Sequence, residues 1–127
     1  MDYELEAEER IQTFCYCWYH NEFPEYRGLL CYNLNNSKNK IDGARNKAMG
    51  IQKGRSDLVL YWQAKAYHIE MKTPTGEQSP EQIEWQNKVE AQGFEYHLVR
   101  SLSAFKKIIL IVCFVCWEAL CVLFSVT

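Results

Sequence analysis

Two acids and a lysine, Asp57, Glu70 and Lys72, fall on two short runs that read as neighbouring strands. Residues 57–62 (Asp-Leu-Val-Leu-Tyr-Trp) and 67–72 (Tyr-His-Ile-Glu-Met-Lys) are partly β-branched or aromatic and flank Gln63-Ala64-Lys65-Ala66. That spacing predicts a hairpin with a four-residue loop. Closing it with Trp62 opposite Tyr67 sets Asp57 against Lys72 and Val59 against Glu70. Strand side chains alternate, so Leu58, Leu60, Trp62, Tyr67, Ile69 and Met71 share an apolar face. Asp57, Glu70 and Lys72 share the other. A one-residue slip would drive Glu70 and Lys72 into the core, at a large desolvation cost.

Clustered carboxylates suit a hard divalent cation such as Mg²⁺, bound through oxygen with positions left for water and a phosphate oxygen. Such an ion polarises a phosphoryl group and acidifies its water, while a lysine steadies developing negative charge or orients the attacking water. The same side chains could also form an ordinary solvated strand face, whose ion pairs carry little energy.

Asp57, twelve intervening residues and Glu70-x-Lys72 resemble the PD-(D/E)xK nuclease signature. The wider string comprises Gly50-Ile-Gln-Lys-Gly54-Arg-Ser-Asp57, Ile69-Glu-Met-Lys72-Thr-Pro-Thr-Gly76, Ser79-Pro-Glu-Gln82 and Gly93-Phe-Glu-Tyr96. It is similar to the VRR-NUC branch, above all to its small stand-alone phage and bacterial members, over about residues 4–107. Ser56 stands where the motif has proline, a change that costs rigidity but no chemistry. The resemblance implies an α/β fold, a PD-(D/E)xK nuclease-like αβββαβ core with a mixed sheet flanked by helices. It implies that Asp57, Glu70 and the Met71 carbonyl hold Mg²⁺ or Mn²⁺, and that Lys72 serves the attacking water or the transition state. It also implies a homodimer acting on branched DNA such as a Holliday junction, in replication, repair or recombination, inside a bacterial or phage-infected cell.

The elements around this hairpin must position it. Residues 3–21 read as a first helix with an acidic opening turn, which the helix dipole favours. Leu5, Glu8, Ile11, Cys15 and Trp18 follow helical spacing and turn Glu8 towards the fold. By the resemblance, Glu8 three residues before Ile11-Gln12 serves the metal, with Glu9 the alternative; a plain dipole-favouring acid is the other reading. Pro24 ends this helix, residues 29–34 read as a strand, and Asn33, Asn35 and Asn36 open a polar segment. A short helix is expected over 42–49. Between Lys38 and Arg55 stand Lys38, Lys40, Arg45, Lys47, Lys53 and Arg55 against the single acid Asp42. Arg45, Lys47, Lys53 and Arg55 are the candidate DNA-backbone contacts, although the formal charge of −2 over 127 residues does not by itself mark a nucleic-acid binder.

Past the break at Thr73-Pro74-Thr75-Gly76, Ser79 and Gln82 form a capping-box pattern around Pro80. Gln82 therefore has two competing roles, the cap and, by the resemblance, support of the active site. Trp85 and Val89 at helical spacing read as core, Gly93 as the helix stop, and 94–99 as a last strand. His68 reads as a peripheral or satisfied residue. Six cysteines without a metal-ligand layout, and an acidic start without an apolar leader, give the expectation of buried free thiols in the cytoplasm.

Residues 1–107 read as the nuclease domain and 108–127 as an apolar C-terminal segment with one charge, Glu118. Twelve Leu, Ile, Val and Phe residues there leave a packed helix favoured over a dimer-forming element or a membrane segment. The expected function is thus a metal-dependent DNA endonuclease. A catalytically inactive DNA-binding or assembly protein, and a membrane-tethered protein, are the readings from other classes.

Overall fold

The computed structural model describes residues 2–33 and 40–125, with side chains over 7–33 and 40–113. In chain order the elements are α1 (Asp2–Glu22), a 3-10 turn (Pro24–Tyr26), β1 (Leu30–Tyr32), α2 (Lys40–Ala48), β2 (Leu58–Trp62), β3 (Lys65–Met71), α3 (Pro80–Ala91), β4 (Glu95–Val99) and α4 (Leu102–Ser125). The strands form one sheet in the order β1-β2-β3-β4. The first three run antiparallel, and β4 joins β3 in parallel. A parallel neighbour needs a crossover, which α3 supplies. This is the expected mixed sheet flanked by helices. Asn35, Asn36 and Lys38 lie outside the described residues.

The hairpin differs from the sequence expectation in register. Its loop has two residues, not four: Gln63 and Ala64 both take left-handed backbone (φ 49° and 64°), and Lys65 and Ala66 belong to β3. Two successive positive φ values define the tight turn whose twist matches that of the strands it joins. Trp62 therefore pairs with Lys65 and Val59 with His68. The shift is two residues, so each side chain keeps its face. Its consequence is at the acids: continued one step past Leu58↔Ile69, the register sets Asp57 against Glu70 and not Lys72.

The face of the hairpin made by the even-numbered residues of β2 and the odd-numbered residues of β3 is the core. Leu58, Leu60, Tyr67, Ile69 and Met71 pack with Cys15 and Tyr19 of α1 and with Phe105 and Ile109 of α4. Cys15 is fully buried, and burial pushes its thiol up to about 12, which leaves it inert. Cys17 is exposed, against the expectation of a buried thiol, because two residues on a helix turn it just over half a circle from Cys15. Helix α3 covers the opposite sheet face. Trp85 and Val89 are half-buried there, not core, and no α3 residue is fully buried. The face beneath α3 carries His68, Glu70 and Tyr96, so its contacts are ring edges, with Trp85 meeting the His68 ring at 4.9 Å.

The apolar C-terminal segment continues α4 without a break, and Ile109 and Val112 close the core. Among the described residues no helix is long and apolar enough to cross a membrane. The side chains from 114 onward, Glu118 included, lie outside the described residues.

Candidate active site

The lead-in to β2 is fixed from three sides. Gly54 takes left-handed backbone (φ 78°), and a Cβ there would stand 2.4 Å from the Glu81 carbonyl carbon. Only glycine lets this loop lie against the start of α3. Asn33 clasps the next residues: its N–H donates to the Asp57 carbonyl at 2.8 Å and its Nδ2 to the Ser56 carbonyl at 3.1 Å. Arg55 Nη2 donates to Asn33 Oδ1 at 3.2 Å. Ser56 is buried; its hydroxyl donates to the Leu58 carbonyl at 3.2 Å and lies 3.4 Å from His68 Nδ1. His68 is thus a packed, satisfied residue, and its imidazole is held below its ordinary pKa by burial and by Arg55.

Asp57, half-buried, and Glu70, fully buried, come together as neighbours. Asp57 Oδ2 accepts the Met71 N–H at 2.6 Å. Burial pushes the Asp57 carboxyl up to about 6, with the Glu70 charge adding and the Met71 N–H and Lys72 opposing. Glu70 is fully buried. Burial raises its pKa as well, with Glu8 adding, while the Tyr96 hydroxyl, Lys72 and the Gln78 amide pull it down. Its Oε1 accepts a hydrogen bond from the Tyr96 hydroxyl, and its Oε2 is buried with no hydrogen bond. Met71 turns its side chain into the core, so only its main chain borders the acids. Lys72 is 7% exposed, its Nζ 4.0 Å from Glu8 Oε1. Glu9 is exposed, so Glu8 is the first-helix acid that faces this cluster.

The cluster lies beside a cleft of about 470 Å³, lined by Glu8, Asp57, Lys53, Arg55, Tyr32, Asn33, Gly54, Ser79, Glu81 and Gln82. Lys53 and Arg55 are thus at the rim of the acidic site. Arg45 and Lys47 lie outside this lining, on α2, and Arg45 pairs with Asp42 at 2.7 Å. Gln82 makes the capping box in full: its N–H donates to Ser79 Oγ at 3.2 Å and its Oε1 accepts the Ser79 N–H at 2.8 Å. Its side chain caps α3 while bordering the cleft. Beyond Lys72, Arg100 Nη1 donates to the carbonyls of Thr73 and Gly76 at 2.7 and 2.6 Å and fixes the turn.

Could this cluster hold a metal? Among the described residues no three His, Cys, Asp or Glu side chains form a ready-made metal group. The donor chemistry nonetheless fits a hard cation. Two carboxylates lie together with burial disfavouring the charge of both, the Glu70 charge further disfavours that of Asp57, and one buried Glu70 oxygen lacks a hydrogen bond. Three acids, Glu8, Asp57 and Glu70, stand against one buried cation, Lys72.

Sequence reasoning missed Tyr96 as part of this site, although the Gly93–Tyr96 stretch was in view. Its role follows only from the parallel β3–β4 register, which sets Tyr96 beside His68 on the face that carries Glu70. No local pattern encodes that register. Glu81, to which sequence reasoning assigned no role of its own, borders the cleft because Gly54 admits the close approach.

A mixed sheet with two acids and a lysine converging at the start of its central hairpin defines a nuclease-like domain of the PD-(D/E)xK type. The chain belongs to the VRR-NUC domain family, whose model matches residues 6–102. A solved structure described as a VRR_NUC domain protein superposes with a TM-score of 0.68 at 18% identity, covering 84% of this chain and 87% of the other. A second, described as a VRR_NUC domain, gives 0.54 at 19% identity, with 81% and 94% covered. At those identities the likeness speaks to the fold alone. No curated protein sequence matches the chain.

Proposed function

We propose that the protein is an endonuclease that hydrolyses DNA phosphodiester bonds with Mg²⁺ or Mn²⁺ as cofactor. One observation carries the proposal: Asp57 and the buried Glu70, with its unbonded Oε2, lie beside a cleft rimmed by Lys53 and Arg55. Asp57, Glu70 and the Met71 carbonyl are the groups that would hold the ion. Bound there, it supplies a Lewis acid for a phosphoryl oxygen and an acidified water. This chain's own side chains do the rest. Lys53 and Arg55 neutralise backbone phosphates and seat the strand in the cleft. Lys72 orients the attacking water and offsets the negative charge that gathers on the phosphoryl oxygens as a backbone P–O bond breaks. Glu8, 4.0 Å away, holds the Lys72 ammonium in place. Gln82 acts through the cap that fixes the cleft wall. Arg45 and Lys47 extend the basic track along α2.

Nothing in the described residues resembles a major-groove reading helix, so recognition rests on backbone and shape. Branched DNA, cut by a homodimer with one site per subunit, fits that mode. Exposed Phe14, Leu110 and Ile111 offer apolar surface for such pairing. We place the activity in the cytoplasm, where free thiols persist. The test is cleavage of labelled four-way-junction, flap and linear duplex DNA with Mg²⁺, with Mn²⁺ and with chelator. Metal-dependent cutting with the junction preferred supports the whole proposal. Binding without cutting on every substrate contradicts it in favour of an inactive DNA-binding domain.

A further inference from the structure

Glu70 is the deepest acid of the site, and one oxygen of its carboxylate is accounted for by a residue of another strand. The parallel pairing of β3 and β4 sets His68 beside Tyr96, so the tyrosine leaves the sheet on the face that carries Glu70. The ring is held in place: Trp85 packs edge-on at 6.0 Å, and the His68 ring bridges Trp85 (4.9 Å) and Phe94 (5.8 Å). From this aromatic wedge the hydroxyl donates to Glu70 Oε1. Oε2 is left buried and without a hydrogen bond.

We infer that Tyr96 is a positioning residue that locks the Glu70 carboxylate with Oε2 free to meet a divalent cation. The inference rests on the metal-dependent reading above. Its physical reason is competition. A buried carboxylate with two free oxygens turns to any donor within reach, and Lys72 and the Gln78 amide both act on Glu70, so such a turn would close the place a cation needs. Tying Oε1 to a rigid phenol removes that freedom and leaves one oxygen in a fixed direction. Partners of this kind, one shell behind a ligand, change metal affinity about 10–100-fold when removed. Tyr96 touches neither substrate nor ion, so its effect passes wholly through Glu70.

The experiment is Mn²⁺ binding to the full chain without DNA, followed by calorimetry and by water-proton relaxation, with melting recorded alongside. Wild type is compared with Tyr96→Phe, Glu70→Gln and a protein carrying p-aminophenylalanine at position 96, which restores a donor on the same ring. The inference expects affinity about tenfold weaker in Tyr96→Phe and largely recovered by the amino analogue. Affinity within twofold of wild type in a folded Tyr96→Phe, whatever its melting temperature, overturns it and leaves the metal reading standing. Should Tyr96→Phe not fold, the analogue decides: weakened binding there, with the donor present, also overturns it. Wild type that binds no Mn²⁺ overturns both.

Discussion

Half-buried Asp57 and fully buried Glu70 are carboxylates set side by side, and that arrangement has a measurable consequence in the metal-free protein. Both acids sit above their ordinary pKa, Asp57 at about 6, chiefly through burial. A group raised in the folded state binds its proton more tightly folded than unfolded. The stability tied to it is present below the unfolded pKa and is lost as pH rises through the folded value. Metal-free protein should therefore lose several degrees of melting temperature between pH 4.5 and pH 7, with Asp57→Asn flattening that loss. At pH 7.5, added Mn²⁺ should recover it in wild type but not in Asp57→Asn. A flat profile in chelator would show that burial does not raise the two acids. At this scale the site was largely legible. Residue type and alternation named Asp57, Glu70 and Lys72, and helical spacing named Glu8. Tyr96 was not legible, because the side chain that completes Glu70 arrives from a strand twenty-six residues away.

Among the elements, the hairpin shows what alternation can and cannot determine. It fixes the face of each side chain but not the register, because any even shift leaves the faces unchanged. The tight turn decides the register, and Gln63-Ala64 hides that turn behind residues that seldom take left-handed backbone. Had the sequence held Asn-Gly there, the two-residue loop would have been plain. The same fact gives a prediction. Replacing Gln63-Ala64 with Asn-Gly should stabilise the protein by about 1 kcal/mol in urea unfolding, because two strained positions are relieved. A four-residue loop would gain nothing from that exchange. Helix α3 was legible at both ends, since its capping box and Gly93 are local signals. Its depth was not, because burial depends on what lies beneath it.

For the molecule as a whole, the question raised by the apolar C-terminal segment has a partial structural answer. Its first turns are core: Phe105 and Ile109 are fully buried against α1 and the sheet, on the side opposite the acids. Ile109→Ala should cost about 2–5 kcal/mol, read from urea unfolding. An unchanged midpoint would mean that this helix is dispensable to the domain. Hydropathy alone marked the segment as apolar, and only the packing partners Cys15, Tyr19 and Met71 show why its beginning must be. The helix also supports the site at a distance, since the face it buries belongs to the same hairpin that holds Asp57 and Glu70. The proposed function has this hairpin and its cleft cutting DNA. The most direct test is junction cleavage by wild type, Lys72→Ala and Glu70→Ala, each with Mg²⁺ and each checked for folding and DNA binding. The account predicts cutting by wild type, at least a hundredfold loss in both folded variants, and DNA binding retained in both. Wild-type rates in either folded variant would contradict it.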